Sequence, residues 1–112
     1  MKDKEFILNA KRARQVHALF LKEKIEHSHI VLLTEIVVRK IHKRSLPNVK
    51  WLQTELQISF TKVKSILKTL EARGFIIKKD SNDDKRVKFI DITKAGNDFI
   101  YKVTGKLAKP GN

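Results

Sequence analysis

Hydrophobic positions recur at helical spacing along most of the chain and change to strand-like alternation near its end. Over residues 4–25, Phe6, Ile7, Ala10, Ala13 and Phe20 fall at helical intervals, as do Leu8, Val16 and Leu19. An apolar face this wide on a terminal helix predicts a second surface to bury, and a dimer contact is the first choice. A second helix is expected over 29–43, capped by Ser28, with Ile30, Leu33, Ile36, Val37 and Ile41 as its stripe. Pro47 stops it. A third helix is expected from Asn48, its N-cap, to Gln57, burying Val49, Leu52 and Leu56. Ser59 caps a fourth, in which Val63, Ile66, Leu67 and Leu70 keep one core face, and Gly74 closes it as a left-handed C′ residue. The third and fourth helices, joined by a tight turn, form a helix-turn-helix. Strands are predicted over 75–79 and 87–92, joined by the turn formers of 80–85. Thr93 then caps a last helix over 94–107.

The predicted class is α+β, mostly α: a winged helix-turn-helix with a two-stranded β-hairpin wing and flanking N- and C-terminal dimerisation helices. Residues 1–112 form one domain by length, with 1–27 as the N-terminal dimerisation helix, 28–93 as the winged core and 94–112 as the C-terminal helix and tail. Phe6, Ile7, Val16, Phe20, Phe99 and Val103 are the expected dimerisation residues.

There are 25 Lys and Arg against 12 Asp and Glu, a net +13. Between Arg39 and Lys88 the count is 14 basic against 5 acidic, leaving +9, so most of the excess lies where the helix-turn-helix and hairpin are predicted. Such an excess points to nucleic acid or an anionic surface as partner. The chain has no cysteine, which excludes disulfides and thiolate zinc sites. The charged start and the shortness of the longest apolar run, Ile30 to Leu33, predict neither a signal peptide nor a membrane span. A cytoplasmic, nucleoid-associated protein is expected.

Off the core stripe of the fourth helix lie Thr61, Lys62, Lys64, Ser65, Lys68 and Thr69, and no acid interrupts Thr61 to Thr69. Cations and hydroxyls on the exposed side of a second helix suit the major groove, where the helix N-terminal half meets base edges. The hairpin carries Lys78, Lys79, Lys85, Arg86 and Lys88. Arg86, with Lys85 beside it, suits a narrow minor groove, and Asp84 can orient the Arg86 guanidinium. Phe60 is read as packing near the start of the fourth helix, with contact to a thymine methyl as the other reading.

These motifs resemble the MarR family of winged-helix transcription regulators and its shorter SarA-like branch. The resemblance rests on Leu70 with Gly74, the strand after it, Asp84 with Arg86, a second strand, and Thr93 with Gly96, covering about residues 48–100. It implies a homodimer on double-stranded DNA, recognition helices in major grooves and wing arginines in minor grooves. It leaves room for a small-molecule effector of unspecified identity. Sixteen residues follow Gly96, which favours a compact, SarA-like arrangement. Lys43 to Lys50, basic and containing Pro47, is an added candidate for backbone contact.

No phosphate loop, nucleophile motif or paired-carboxylate site is present, so no enzyme, cofactor or metal is expected; His27 and His29 lack a clear third ligand. Two other readings stay open. One is a replication, partition or architectural DNA-binding accessory protein of low sequence specificity, from a plasmid or phage. The other is a winged helix that binds protein or RNA.

Overall fold

The structure, a computed structural model, describes residues 2–80 and 88–107. The order is α1 (Lys2–Glu23), α2 (His27–Ile41), α3 (Val49–Leu56), α4 (Phe60–Ala72), β1 (Ile76–Asp80), β2 (Lys88–Ile92) and α5 (Lys94–Leu107). The strands form an antiparallel hairpin in which Ile76 pairs with Ile92 at the base and Asp80 with Lys88 toward the tip. A third rung lies against the outer edge of β2. Ile90 N–H donates to the Pro47 carbonyl at 2.8 Å, and Asn48 bridges Phe89. This is the winged helix-turn-helix that the sequence pattern predicts. The β2 strand begins at Lys88 among the described residues; Val87 and the loop before it, with Asp84, Lys85 and Arg86, lie outside them.

One core serves all the elements except α1. It takes Ile30, Leu32, Leu33 and Ile36 from α2, Leu52 from α3, Val63, Ile66, Leu67 and Leu70 from α4, Ile76, Ile90 and Ile92 from the hairpin, and Ile100 and Val103 from α5. Full burial of each such side chain is worth about 2 kcal/mol. By contrast α1 buries no residue; Val16 and Leu19 only lean on the core.

The ends of the helices fix the geometry. Asn48 caps α3 by accepting the Trp51 N–H at 2.8 Å, and Ser59 caps α4 by accepting the Lys62 N–H at 3.1 Å. Between them Gln57 takes a left-handed conformation (φ 55°) that turns the chain from α3 into α4. At its other end α4 closes with the two hydrogen bonds of a Schellman motif. Phe75 N–H donates to the Leu70 carbonyl and Gly74 N–H to that of Glu71, each at 3.0 Å, with Gly74 at φ +76°. The same corner receives α5. Thr93 accepts the Gly96 N–H at 3.0 Å, capping α5, and its hydroxyl donates to the Gly74 carbonyl at 2.6 Å. Gly96 lies so close to Phe75 that a β-carbon would collide with the Phe75 carbonyl oxygen and come within 2.9 Å of Ile92 Cγ1. The Thr93 and Gly96 pair is therefore a packing requirement of the hairpin base.

The start of α2 corrects the sequence reading. Ser28 is not the cap; its hydroxyl is buried without a hydrogen-bond partner among the described residues. The N-cap is Glu26, and its backbone N–H donates to His29 Nδ1 at 3.2 Å, so His29 fills the place usually held by Glu or Gln in a capping box. The His29 side chain is buried. Burial holds its imidazole below the ordinary histidine range; the Glu26 carboxylate pulls the other way, and the Lys62 and Arg73 cations add to the lowering.

Gly96→Ala should lower unfolding stability by about 2 kcal/mol, measured by denaturant titration, because the β-carbon meets backbone that cannot swing aside. A histidine whose folded pKa is depressed stabilises the fold fully above its unfolded value of 6.5, and that contribution is lost as pH falls through the folded pKa. The melting temperature should therefore fall between about pH 7 and pH 5.5. His29→Gln, which keeps an acceptor for the Glu26 N–H, should flatten that slope; an unchanged slope would assign it to another group.

Candidate nucleic-acid interface

Because Val63, Ile66, Leu67 and Leu70 all turn inward, the opposite side of α4 is left to solvent. Phe60, Thr61, Lys64, Ser65 and Lys68 are exposed there; Lys62 and Thr69 are half-buried at its margins. Among the described residues neither Lys64 nor Lys68 has an acidic partner. The Lys64 ammonium instead stands over the Phe60 ring, 5.6 Å from its centroid. Lys62 differs from its neighbours. Its ammonium reaches back to Glu26 Oε2 at 3.2 Å, joining the start of α4 to the start of α2. Of the four lysine and hydroxyl positions nearest the start of α4, Thr61, Lys62, Lys64 and Ser65, Lys62 is the one whose side chain is paired with an acid.

The hairpin distributes its charge in the same selective way. Asp91, with its side chain 10% exposed, receives Lys40 on Oδ1 and Lys79 on Oδ2, both at 2.8 Å. Its Oδ1 also accepts the Ile92 N–H at 2.7 Å. Burial alone would raise its pKa, but the hydrogen bonds from Lys40, Lys79 and Ile92 outweigh it and hold the carboxyl below the usual carboxylate range. Lys88 pairs with Asp80, and Lys78 with Glu71 at 3.8 Å. The described lysines of the wing thus all have carboxylate partners. The remaining wing residues proposed from the sequence, Asp84, Lys85 and Arg86, lie outside the described residues.

Ahead of α3, Arg39 organises the basic segment. Its guanidinium lies 4.2 Å from the Trp51 ring centroid, and its Nε donates to the Ser45 carbonyl at 2.6 Å. This segment leads to the Asn48 rung from the base of the hairpin, at the end away from the wing tip.

The residues expected at a dimer contact separate into two groups. Phe6, Ile7 and Phe20 are exposed on α1, at 73%, 55% and 38%, and Leu21 beside them is exposed too. Val16 is half-buried. Phe99 and Val103 face inward within the one chain: Val103 is buried in its core, and the half-buried Phe99 stacks on Phe75 with centroids 4.7 Å apart. Helical spacing locates the apolar stripe of α5 but cannot say whether a partner or the chain's own hairpin base covers it. An apolar groove of about 190 Å³ lies between α2 and α5, with Val37, Val38, Ile41, Ile100, Tyr101 and Thr104 among its walls.

Sequence reasoning missed the anchoring roles of Glu26 and Asp91, the acids that hold Lys62, Lys40 and Lys79. For Asp91 a signal existed: an acid between Ile90 and Ile92, in a strand end expected to be buried, is seldom buried unless paired. Among the described residues, no helix is long and apolar enough to cross a membrane.

The comparisons with known proteins agree with this geometry. The chain is similar to the HTH-type transcriptional regulator PrsX of Escherichia coli, with 31% identity over 80 residues, covering 71% of this chain. That alignment covers 46% of PrsX, so the chain spans about half the length of its curated relative. Its fold is similar to that of a MepR mutant of S. aureus bound to an oligodeoxyribonucleotide, with a TM-score of 0.79, 17% identity, and coverage of 95% of this chain and 75% of that one. It is also similar to a mutant MarR from E. coli complexed with operator DNA, with a TM-score of 0.72, 16% identity, and coverage of 92% and 70%. The MarR family matches residues 33–88, half of the 112, running from within α2 through α3, α4 and β1 to the first residue of β2. This chain belongs to the MarR family.

Proposed function

We propose that this protein is a homodimeric, sequence-specific transcription regulator that binds double-stranded DNA in the cytoplasm, on the nucleoid. The observation that carries the reading is the exposed side of α4. It offers Thr61, Lys64, Ser65 and Lys68 with no acid among them, on a helix whose other side is locked into the core. A helix so presented can enter a major groove, with hydroxyls and ammonium groups toward base edges and phosphates. Two proteins of similar fold, MepR and MarR, are known in complexes with an oligodeoxyribonucleotide and with operator DNA. Arg86, with Asp84 and Lys85 around it, keeps the minor-groove role that the family pattern implies. Lys62, Lys79 and Lys88 would reach phosphate only by exchanging their carboxylate partners. The Lys62 and Lys88 pairs are exposed and worth at most about 1 kcal/mol, so for them the exchange is energetically open, whereas the Asp91 partner of Lys79 is buried.

The dimer is proposed on α1. A 22-residue helix with no buried residue and with Phe6, Ile7, Phe20 and Leu21 exposed has its apolar side unmet within one chain. The groove between α2 and α5 is the place where an apolar effector would bind.

Selection of bound fragments from a random duplex library at near-physiological salt tests the function. It should return one inverted repeat with half-sites about one helical turn apart. Strong retention without a motif would instead mean low-specificity binding, and no retention would refute DNA as the partner. On the selected duplex, Lys64→Ala and Lys68→Ala should each weaken binding and reduce the logarithmic salt slope by about 1. In sedimentation velocity the protein should run as a dimer and Phe6→Asp as a monomer; a monomeric wild type would remove α1 as an interface.

A further inference from the structure

Phe60 opens α4 on the side away from the core and is 52% exposed. It is the one large apolar side chain among the exposed residues of that helix, whose neighbours are Thr61, Lys64, Ser65 and Lys68. It is not one of the buried or half-buried side chains that make up the hydrophobic cluster. Lys64, one turn later, places its ammonium 5.6 Å from the ring centroid. A single exposed aromatic ring needs no explanation by itself. This one occupies the first turn of the helix proposed to enter the major groove, the part that lies nearest base edges. The major groove presents one apolar group, the C5-methyl of thymine. A ring at this point has little else there with which to lose its hydration. Its cation neighbour remains available to a purine edge or a phosphate.

We infer that Phe60 is a specificity-determining residue that reads the C5-methyl group of a thymine in each half-site. The inference rests on the DNA-binding reading of α4 and adds a base preference to it, since removal of that methyl should be felt by this side chain alone.

The test uses the full chain and the duplex recovered from library selection. Each thymine is replaced in turn by deoxyuridine, which pairs identically and lacks only the methyl group. One thymine per half-site should respond, with wild-type affinity falling about fourfold, the equivalent of one buried methyl. Phe60→Ala should bind the thymine duplex about as weakly as wild type binds the uracil duplex, and should be indifferent to the replacement. Phe60→Leu should keep part of the preference. The ring lies outside the core, so thermal unfolding of these variants should match wild type. If no thymine responds in the wild type, or if Phe60→Ala responds as strongly as wild type, the inference is overturned while DNA binding stands. If the selection recovers no duplex at all, the reading of α4 has failed and the inference goes with it.

Discussion

What α4 shows to solvent is determined by what it buries. Its four buried residues, Val63, Ile66, Leu67 and Leu70, lie on one stripe, and all are taken by the core shared with α2, the hairpin and α5. Rotation of the helix by even one residue would expose part of that stripe, at about 2 kcal/mol for each side chain. The exposed strip from Phe60 to Lys68 is therefore held in one orientation. Both ends are fixed as well: Ser59 and the Lys62 to Glu26 pair at the start, and the Gly74 corner tied to Thr93 at the finish. The hairpin leaves from that corner and α5 packs onto it through Gly96. The end of α4, the base of the hairpin and the start of α5 therefore meet at one hydrogen-bonded corner.

Electrostatics refine this picture. The net charge of +13 is concentrated around the helix-turn-helix, yet many of its cations have internal partners. Lys40 and Lys79 converge on Asp91, Lys62 on Glu26, Lys78 on Glu71, Lys88 on Asp80, and Arg73 on Glu23. Such pairs orient the wing and the start of α4, and the overall positive field still favours a polyanion at long range. Among the described residues, Lys64 and Lys68 have no acidic partner. A broad basic field and a narrow strip of unpaired donors fit a division between phosphate attraction and base reading.

Most of the fold was legible in the sequence because its signals are local. Asn48, Ser59, Gly74 and Thr93 each act within a few residues of their own positions, and each does what its spacing predicts. Signals that depend on tertiary contacts were not legible. Ser28 looks like a cap, but His29 in the third position of the helix answers Glu26 instead, a pairing outside the usual capping pattern. Phe99 and Val103 share a stripe that a partner could cover as well as their own core. Phe60 looks like a packing residue, and only the direction of the first turn of α4 puts it in solvent. The roles of Lys62 and Lys79 turn on acids far away in sequence, Glu26 and Asp91.

The central claim is that the exposed side of α4 meets duplex DNA. Backbone amide chemical shifts, followed while the selected duplex is added to the isotope-labelled protein, test it most directly. The largest changes should cluster from Phe60 to Lys68, while the groove between α2 and α5 should change little. Binding that leaves Phe60 to Lys68 unperturbed and moves signals elsewhere would contradict it.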